Sequence, residues 1–138
     1  MSRKIEIVEV GPRDGLQNEA VALSVDDRLE FIGKLEACGV HRIEAVSFVN
    51  PKRVPQMAGA EAIMAALPHK AGRSRIGLVL NIKGWERLKA TRCDEANVVV
   101  CASDTFGVRN QGATVDQQAS LDVDQCSVSS RAVPHPDP

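Results

Sequence analysis

The sequence is poor in aromatic residues, with one Trp, three Phe and no Tyr among 138 residues. Single strands of nucleic acid are held by stacking bases on aromatic rings, and Trp85, Phe31, Phe48 and Phe106 offer too few platforms for that. An excess of positive charge is also missing. Lys+Arg number 17 and Asp+Glu 18, a formal net charge of −1, so the composition holds no surplus to neutralise a phosphate backbone. No apolar run approaches the roughly 20 residues that a membrane-spanning helix needs. Residues 1–4 lead straight into a strand-like run, which leaves no room for a signal peptide. These absences set the expectation of a cytoplasmic chain with no nucleic-acid and no membrane partner.

Several site patterns are lacking as well. Cys38, Cys93, Cys101 and Cys126 form no C-x-x-C pair, and His41, His69 and His135 form no H-x-H or H-x₃₋₅-H pair, so zinc-ligand spacing is absent. Scattered thiols without an export signal are expected to be reduced. Cys38 and Cys101 lie inside apolar patterns and read as small core residues. No G-x-G-x-x-G follows the first strand-like run and no G-x-x-x-x-G-K-[ST] occurs, which removes the main support for dinucleotide and P-loop sites.

What is present is an alternation of strand-like and helix-like segments, in a chain of ordinary composition whose length suits one domain. Ile5-Glu6-Ile7-Val8-Glu9-Val10, bounded by Gly11-Pro12, reads as a strand. Ser24 caps a helix with the stripe Val25, Leu29, Ile32, Leu35 and Cys38, which Gly39 stops. Residues 42–48 give a second strand. Pro55 opens a helix with Met57, Ile63, Met64 and Leu67 on one face. Residues 75–80 form a third strand, residues 83–91 a short helix with Trp85 and Leu88, and residues 96–102 a fourth strand. Thr114-Val115-Asp116-Gln117 is a capping-box pattern that starts a last helix. This βαβαβαβ order, with strands that are short apolar runs, predicts parallel strands covered by helices. An open doubly wound sheet and a (β/α)₈ barrel both satisfy it. From Gln118 the apolar residues Ala119, Leu121 and Val123 alternate, and a serine- and proline-rich end follows. Residues 116–138 therefore read as a disordered tail.

In parallel α/β folds the loops at the carboxyl ends of the strands project side chains into one crevice. The first strand ends in Gly11-Pro12-Arg13-Asp14-Gly15, the second carries Glu44 and Ser47, the third gives way to Asn81 and the fourth to Ser103-Asp104. Charge within a strand is costly to bury unless it is paired or binds a metal, which singles out Glu44. Each residue also has a plain structural role open to it. Residues 12–15 fit an ordinary turn, Glu44 fits a salt bridge to Arg42 or Arg13, and Asn81 fits a helix cap. Asp104 and Arg109 fit solvated loop charges.

Taken together, three segments carry a resemblance. Val8-Glu9-Val10-Gly11-Pro12-Arg13-Asp14-Gly15-Leu16-Gln17-Asn18-Glu19, then Ile43-Glu44-Ala45-Val46-Ser47-Phe48-Val49-Asn50-Pro51-Lys52-Arg53-Val54-Pro55-Gln56-Met57, and Asn81-Ile82-Lys83-Gly84 are similar to the 3-hydroxy-3-methylglutaryl-CoA lyases. These enzymes belong to a metal-dependent barrel superfamily that includes isopropylmalate synthases and pyruvate carboxyltransferase domains. The similarity runs from about Ile5 to Val115. Members of the synthase branch carry a threonine-leucine pair before Arg-Asp-Gly, where this chain has Gly11-Pro12, so the lyase branch is favoured.

The resemblance implies the N-terminal half of a (β/α)₈ TIM barrel, about four βα units over residues 1–115, followed by the irregular tail. It implies cleavage of 3-hydroxy-3-methylglutaryl-CoA, an acyl-CoA substrate, to acetyl-CoA and acetoacetate. By resemblance Asp14 is a ligand to Mg²⁺ or Mn²⁺, Arg13 stabilises the enolate, Glu44 orients Arg13 or metal-bound water, and Gln17 is a neighbouring substrate contact. The family's later metal ligands, an H-x-H pair and an Asn, and its cysteine-bearing loop have no counterpart here. A barrel takes about 250 residues, so the expectation is an incomplete site, inactive alone, with open strand edges prone to self-association. Two alternatives are a non-catalytic half-barrel interaction module and an acyl-CoA condensing relative of the isopropylmalate synthase type.

Overall fold

A computed structural model of the chain describes residues 5–99 and 101–119. Four strands, β1 (Val8–Glu9), β2 (Arg42–Ser47), β3 (Ser74–Val79) and β4 (Glu95–Val98), form one parallel sheet in the order β1-β2-β3-β4. Each strand lies beside its predecessor in sequence. A doubly wound sheet reverses direction at a switch point, whereas a barrel adds strands in sequence order, so this order selects the barrel. The helices α1 (Val25–Ala37), α2 (Ala60–Ala66), α3 (Ile82–Lys89) and α4 (Asp104–Gln111) alternate with the strands. Among the described residues no helix is long and apolar enough to cross a membrane.

Local chemistry explains most boundaries. Ser24 and Asp27 form a reciprocal capping box at the start of α1, and Gly39 ends it with φ of 90°. Cys38 caps the carboxyl end of that helix, just past Ala37, and is exposed rather than in the core, because the helix stops before its stripe reaches it. Cys101 is buried as its apolar setting predicts. The helix expected from Pro55 is two pieces. Residues Pro55–Met57 make a single tight turn, Gly59 takes φ of 77°, and α2 begins only at Ala60. A side chain at Gly59 would meet Val25 of α1 at 2.7 Å, so the break lets the two helices close.

Strand β1 is shorter than the sequence suggests. Ile5 and Ile7 stay exposed, and only Val8 and Glu9 pair with β2. Helix α4 has no counterpart in the sequence reading, since Phe106 and Val108 are exposed and Gly107 interrupts its pattern. Gly107 is required by close approach: a Cβ there would meet Gln118 Nε2 at 2.4 Å and the Ala113 carbonyl at 2.7 Å. Beyond α4 the chain is helical again over residues 115–119, across the division expected at residue 115. The capping box there is formed, with Thr114 N–H donating to Gln117 Oε1 and Gln117 N–H donating to Thr114 Oγ1. Gln118 is buried and accepts the Cys101 amide at 2.8 Å. The remainder of the expected tail, residues 120–138, lies outside the described residues.

The core lies between the sheet and the helices. Ile43, Val46, Phe48 and Val79 pack with Ile32, Ile63, Met64, Trp85, Leu88 and Cys93. Gly77 of β3 faces this layer, and a Cβ on it would meet the Phe48 ring at 2.6 Å, Leu88 at 3.0 Å and Cys93 Sγ at 3.1 Å. The opposite, inner face carries Ile76 and Leu78, and the register pairs them with Glu44 and Ser47 of β2. A bulge at Ala45 makes this possible, because one extra residue between Glu44 and Val46 brings both Glu44 and Ser47 to the same face.

One buried ion network ties α1 to β3. Glu36 Oε1 accepts from Arg75 Nε at 3.0 Å and Nη2 at 2.8 Å, and Glu36 Oε2 accepts from Lys70 at 2.9 Å. Burial pushes the Glu36 carboxyl up, but the hydrogen bonds and charges of Lys70 and Arg75 outweigh it and hold the group below its ordinary range. A lowered folded value means that the stabilisation is complete above the ordinary glutamate range and is lost as pH falls through the folded value. Glu36→Gln is therefore expected to cost about 3 kcal/mol at neutral pH by leaving Arg75 poorly paired. The gap from the unaltered protein should narrow in urea titrations as pH falls from about 7 to about 3. A gap that widens in acid would contradict this account. Gly77→Ala is expected to cost about 1–3 kcal/mol by overpacking against Phe48, Leu88 and Cys93, read in the same titrations.

Candidate functional site

The site grows from a wide turn at the carboxyl end of β1. Over Gly11–Gly15 the amides of Arg13, Asp14 and Gly15 converge on one acceptor, the Val10 carbonyl, at 3.1, 2.7 and 3.4 Å. Pro12 has no N–H to satisfy, and its fixed φ suits the start of such a turn. The Gly11 amide donates to Glu9 Oε1 at 2.7 Å, which anchors the entry. Turns of this π type are frequent at functional sites. The ordinary-turn reading of residues 12–15 fails on two points. Gly15 is not in a left-handed conformation, and the Asp14 carboxylate meets the Arg13 guanidinium while the turn's amides go to Val10.

The turn sends Arg13 across to β2. Arg13 Nε donates to Glu44 Oε1 at 2.5 Å, and Nη1 donates to Asp14 Oδ1 at 2.8 Å. Of the two partners open to Glu44, the structure selects Arg13. Arg42 is engaged elsewhere, by both its Nε and Nη2 with Glu95 and by Nη1 with Glu6 at 3.2 Å. The Glu44 side chain is 4% exposed, Arg13 13% and Asp14 55%. The expected trio is thus together, with a buried carboxylate behind the arginine and an open one in front of it.

A further residue joins them that the sequence reading missed. Asn97 of β4 donates from Nδ2 to Glu44 Oε2 at 3.2 Å, so each Glu44 oxygen has its own donor. The signal was available, because Asn97 interrupts the apolar run of β4 as Glu44 interrupts that of β2. Gln17 follows the turn, and its Oε1 is buried without a hydrogen-bond partner, as is Ser47 Oγ on the inner face. Asn81 is a helix cap, its side chain accepting the Gly84 amide at 2.9 Å. Asp104 and Arg109 lie on α4 rather than in a loop, with Asp104 Oδ1 accepting the Val115 amide at 2.8 Å.

The donor set bears on an ion. Mg²⁺ is held by one or two carboxylates together with water and substrate oxygens. Asp14 fits that role as an exposed hard-oxygen ligand beside the arginine. Both Glu44 oxygens are already taken. Among the described residues no group of three or more His, Cys, Asp or Glu that could hold a metal ion comes together.

Comparison with known proteins places this geometry. The HMGL-like family model matches residues 4–133. The chain is 42% identical over 113 residues to the hydroxymethylglutaryl-CoA lyase of Pseudomonas mevalonii, covering 82% of this chain and 38% of that protein. It is 39% identical over 115 residues to the 3-hydroxy-3-isohexenylglutaryl-CoA/hydroxy-methylglutaryl-CoA lyase of Pseudomonas aeruginosa, again covering 38% of the relative. The crystal structure of the hydroxymethylglutaryl-CoA lyase from Pseudomonas aeruginosa superposes with a TM-score of 0.83 at 36% identity, over 92% of this chain and 42% of that one. An Acinetobacter baumannii HMG-CoA lyase in complex with coenzyme A and 3-methylmalate gives a TM-score of 0.81 at 34% identity, over 84% and 38%. The chain therefore spans less than half the length of these relatives, and its four parallel strands are half of their barrel. With the family model matching residues 4–133 and the sheet overlaying these lyases, the chain belongs to the HMGL-like family.

Proposed function

We propose that this chain carries the arginine–carboxylate part of a carbon–carbon lyase site for 3-hydroxy-3-methylglutaryl-CoA. The observation that supports it is the Arg13 guanidinium, fixed on buried Glu44 at the carboxyl end of the strands with exposed Asp14 beside it. In the proposed reaction the C3 hydroxyl loses its proton and the C2–C3 bond breaks. The C3 carbon becomes the ketone of acetoacetate. The electron pair of the broken bond passes to the thioester as an enolate, which takes a proton at C2 to give acetyl-CoA.

That step concentrates negative charge on the thioester oxygen. Arg13 is the residue for it, since a guanidinium stays charged and, when held by a carboxylate, does not have to reorganise as the charge develops. Glu44 holds it from behind, out of reach of solvent. Gln17, with a buried acceptor lacking a protein partner, is the adjoining polar contact. When bound, a Mg²⁺ or Mn²⁺ ion with Asp14 among its oxygen ligands supplies Lewis-acid polarisation of substrate oxygens. The acyl-CoA class of substrate draws support from the coenzyme A and 3-methylmalate bound to the Acinetobacter baumannii relative.

The test joins this chain to the part of the Pseudomonas mevalonii lyase beyond the matched region and measures acetoacetate release. Turnover is expected in the hybrid, and Arg13→Gln should lower kcat about 10²–10³-fold, the usual loss for one donor at a developing oxyanion. Asp14→Asn should raise the Mg²⁺ or Mn²⁺ concentration needed for half-maximal rate. Undiminished kcat in the Arg13→Gln hybrid would refute the role given to the guanidinium. The chain by itself is expected to show no turnover, since Asp14 alone binds an ion weakly. Turnover by the chain alone that is lost on Asp14→Asn would show that its own residues suffice.

A further inference from the structure

We infer that Asn97 is a positioning residue for Arg13, acting through Glu44. This rests on the proposed role of Arg13, but its geometry stands independently. A carboxylate in the sheet interior has to fill its lone pairs from protein donors, and Glu44 is only 3% exposed. Arg13 takes Oε1 and Asn97 takes Oε2. The two donors approach from opposite sides of β2, Arg13 from the turn after β1 and Asn97 from β4, two strands away in sheet order. With Oε2 tied to β4, the carboxylate plane cannot turn to offer Arg13 a different oxygen or swing away from it.

The placement of Asn97 is itself secured. Glu95 lies two residues before it, and residues two apart in a strand share a face. Glu95 is held by Arg42 through Nε at 3.0 Å and through Nη2, and by Ser74 Oγ. Glu95 pairs in register with Ile76 and Asn97 with Leu78, so the anchor at Glu95 sets which residue of β4 reaches Glu44. An apolar side chain of the same size at position 97 would fill the space equally well. It would leave Glu44 Oε2 buried and unpaired, and a buried carboxylate in that condition draws its remaining donor or water differently.

The test uses nuclear magnetic resonance on this chain, with no substrate required. The Arg13 Nε–H proton is followed by its exchange with water and its shift, with Asn97→Leu as the isosteric variant that removes the donor. Exchange at Arg13 Nε–H is expected to speed up at least tenfold and the resonance to move, while the amides of β2 and β3 keep their protection. Asn97→Gln, which retains the amide, should restore slower exchange. If Asn97→Leu does not fold, Asn97→Ala is read instead, since it removes the donor to Glu44 without adding a charge or a new hydrogen-bonding group, and the same acceleration is expected. Arg13 Nε–H exchange unchanged in the folded variant would overturn the inference. In the lyase hybrid, Asn97→Leu should lower kcat with little change in KM. A hybrid with no lyase activity would defeat the proposed reaction, while a change at Arg13 Nε–H would still establish the positioning.

Discussion

The arrangement depends on one buried carboxylate. Glu44 sits in a central strand of a parallel sheet, where removing a single partner of such a charge typically costs about 3–5 kcal/mol. Its location constrains what surrounds it. One oxygen has to be reached by a side chain from β1's side and the other from β4's side, and both donors have to arrive on the inner face. The wide turn at Gly11–Gly15 and the register of β4 satisfy these requirements. The turn is unusual because three amides share one carbonyl, and that geometry turns Arg13 back over β2 while leaving Asp14 outside.

The bulge in β2 belongs to the same solution. With regular alternation, Glu44 and Ser47 would fall on opposite faces. The extra residue, Ala45, corrects this and frees a carbonyl from the ladder. Buried Arg28 of α1 reaches that carbonyl with a long contact of 3.5 Å and the Ala58 carbonyl at 2.9 Å. Burial lowers the affinity of Arg28 for its proton, and its Nε has no partner, so this residue carries an evident cost. In return it joins the strand irregularity to the turn before α2. A helix placed for packing thus also supports the irregular backbone beside the site.

Much of this was legible in the sequence and some was not, for definite reasons. The capping box at Ser24, the stop at Gly39 and the cap at Asn81 are local interactions, and local residues announce them. Glu44 was legible because a charge inside an apolar run demands a partner, and Arg13, Asp14 and Gln17 because the motif around them is distinctive. The choice of Arg13 over Arg42 was not legible. It depends on Glu95, which is 53 residues beyond Arg42 and captures it across β3. Asn97 escaped because an amide interrupts a strand less conspicuously than a charge. Helix α4 escaped because Gly107, a poor helix former, is there for the close approach of Gln118, a contact that no local pattern encodes. The exposure of Cys38 depends on where α1 stops, within one turn of the last residue of its stripe.

The inner face also shows why charge by itself does not mark a site. Two arginines on it each meet two carboxylates: Arg42 meets Glu95 and Glu6, and Arg13 meets Glu44 and Asp14. The difference lies in attachment and position. Arg42 begins β2, at the amino end of the sheet, and grips Glu95 with two nitrogens, a forked contact that spends its directional donors on holding two strands together. Arg13 stands past the carboxyl end of β1 on a turn, and is held to Glu44 through Nε. In barrels the amino end of the strands serves stability and the carboxyl end serves chemistry. In the proposed function, the same pair of residue types therefore performs two tasks in one sheet. Which task falls to which arginine follows from the end of the strand it occupies and from how much of its fork the fold has already used.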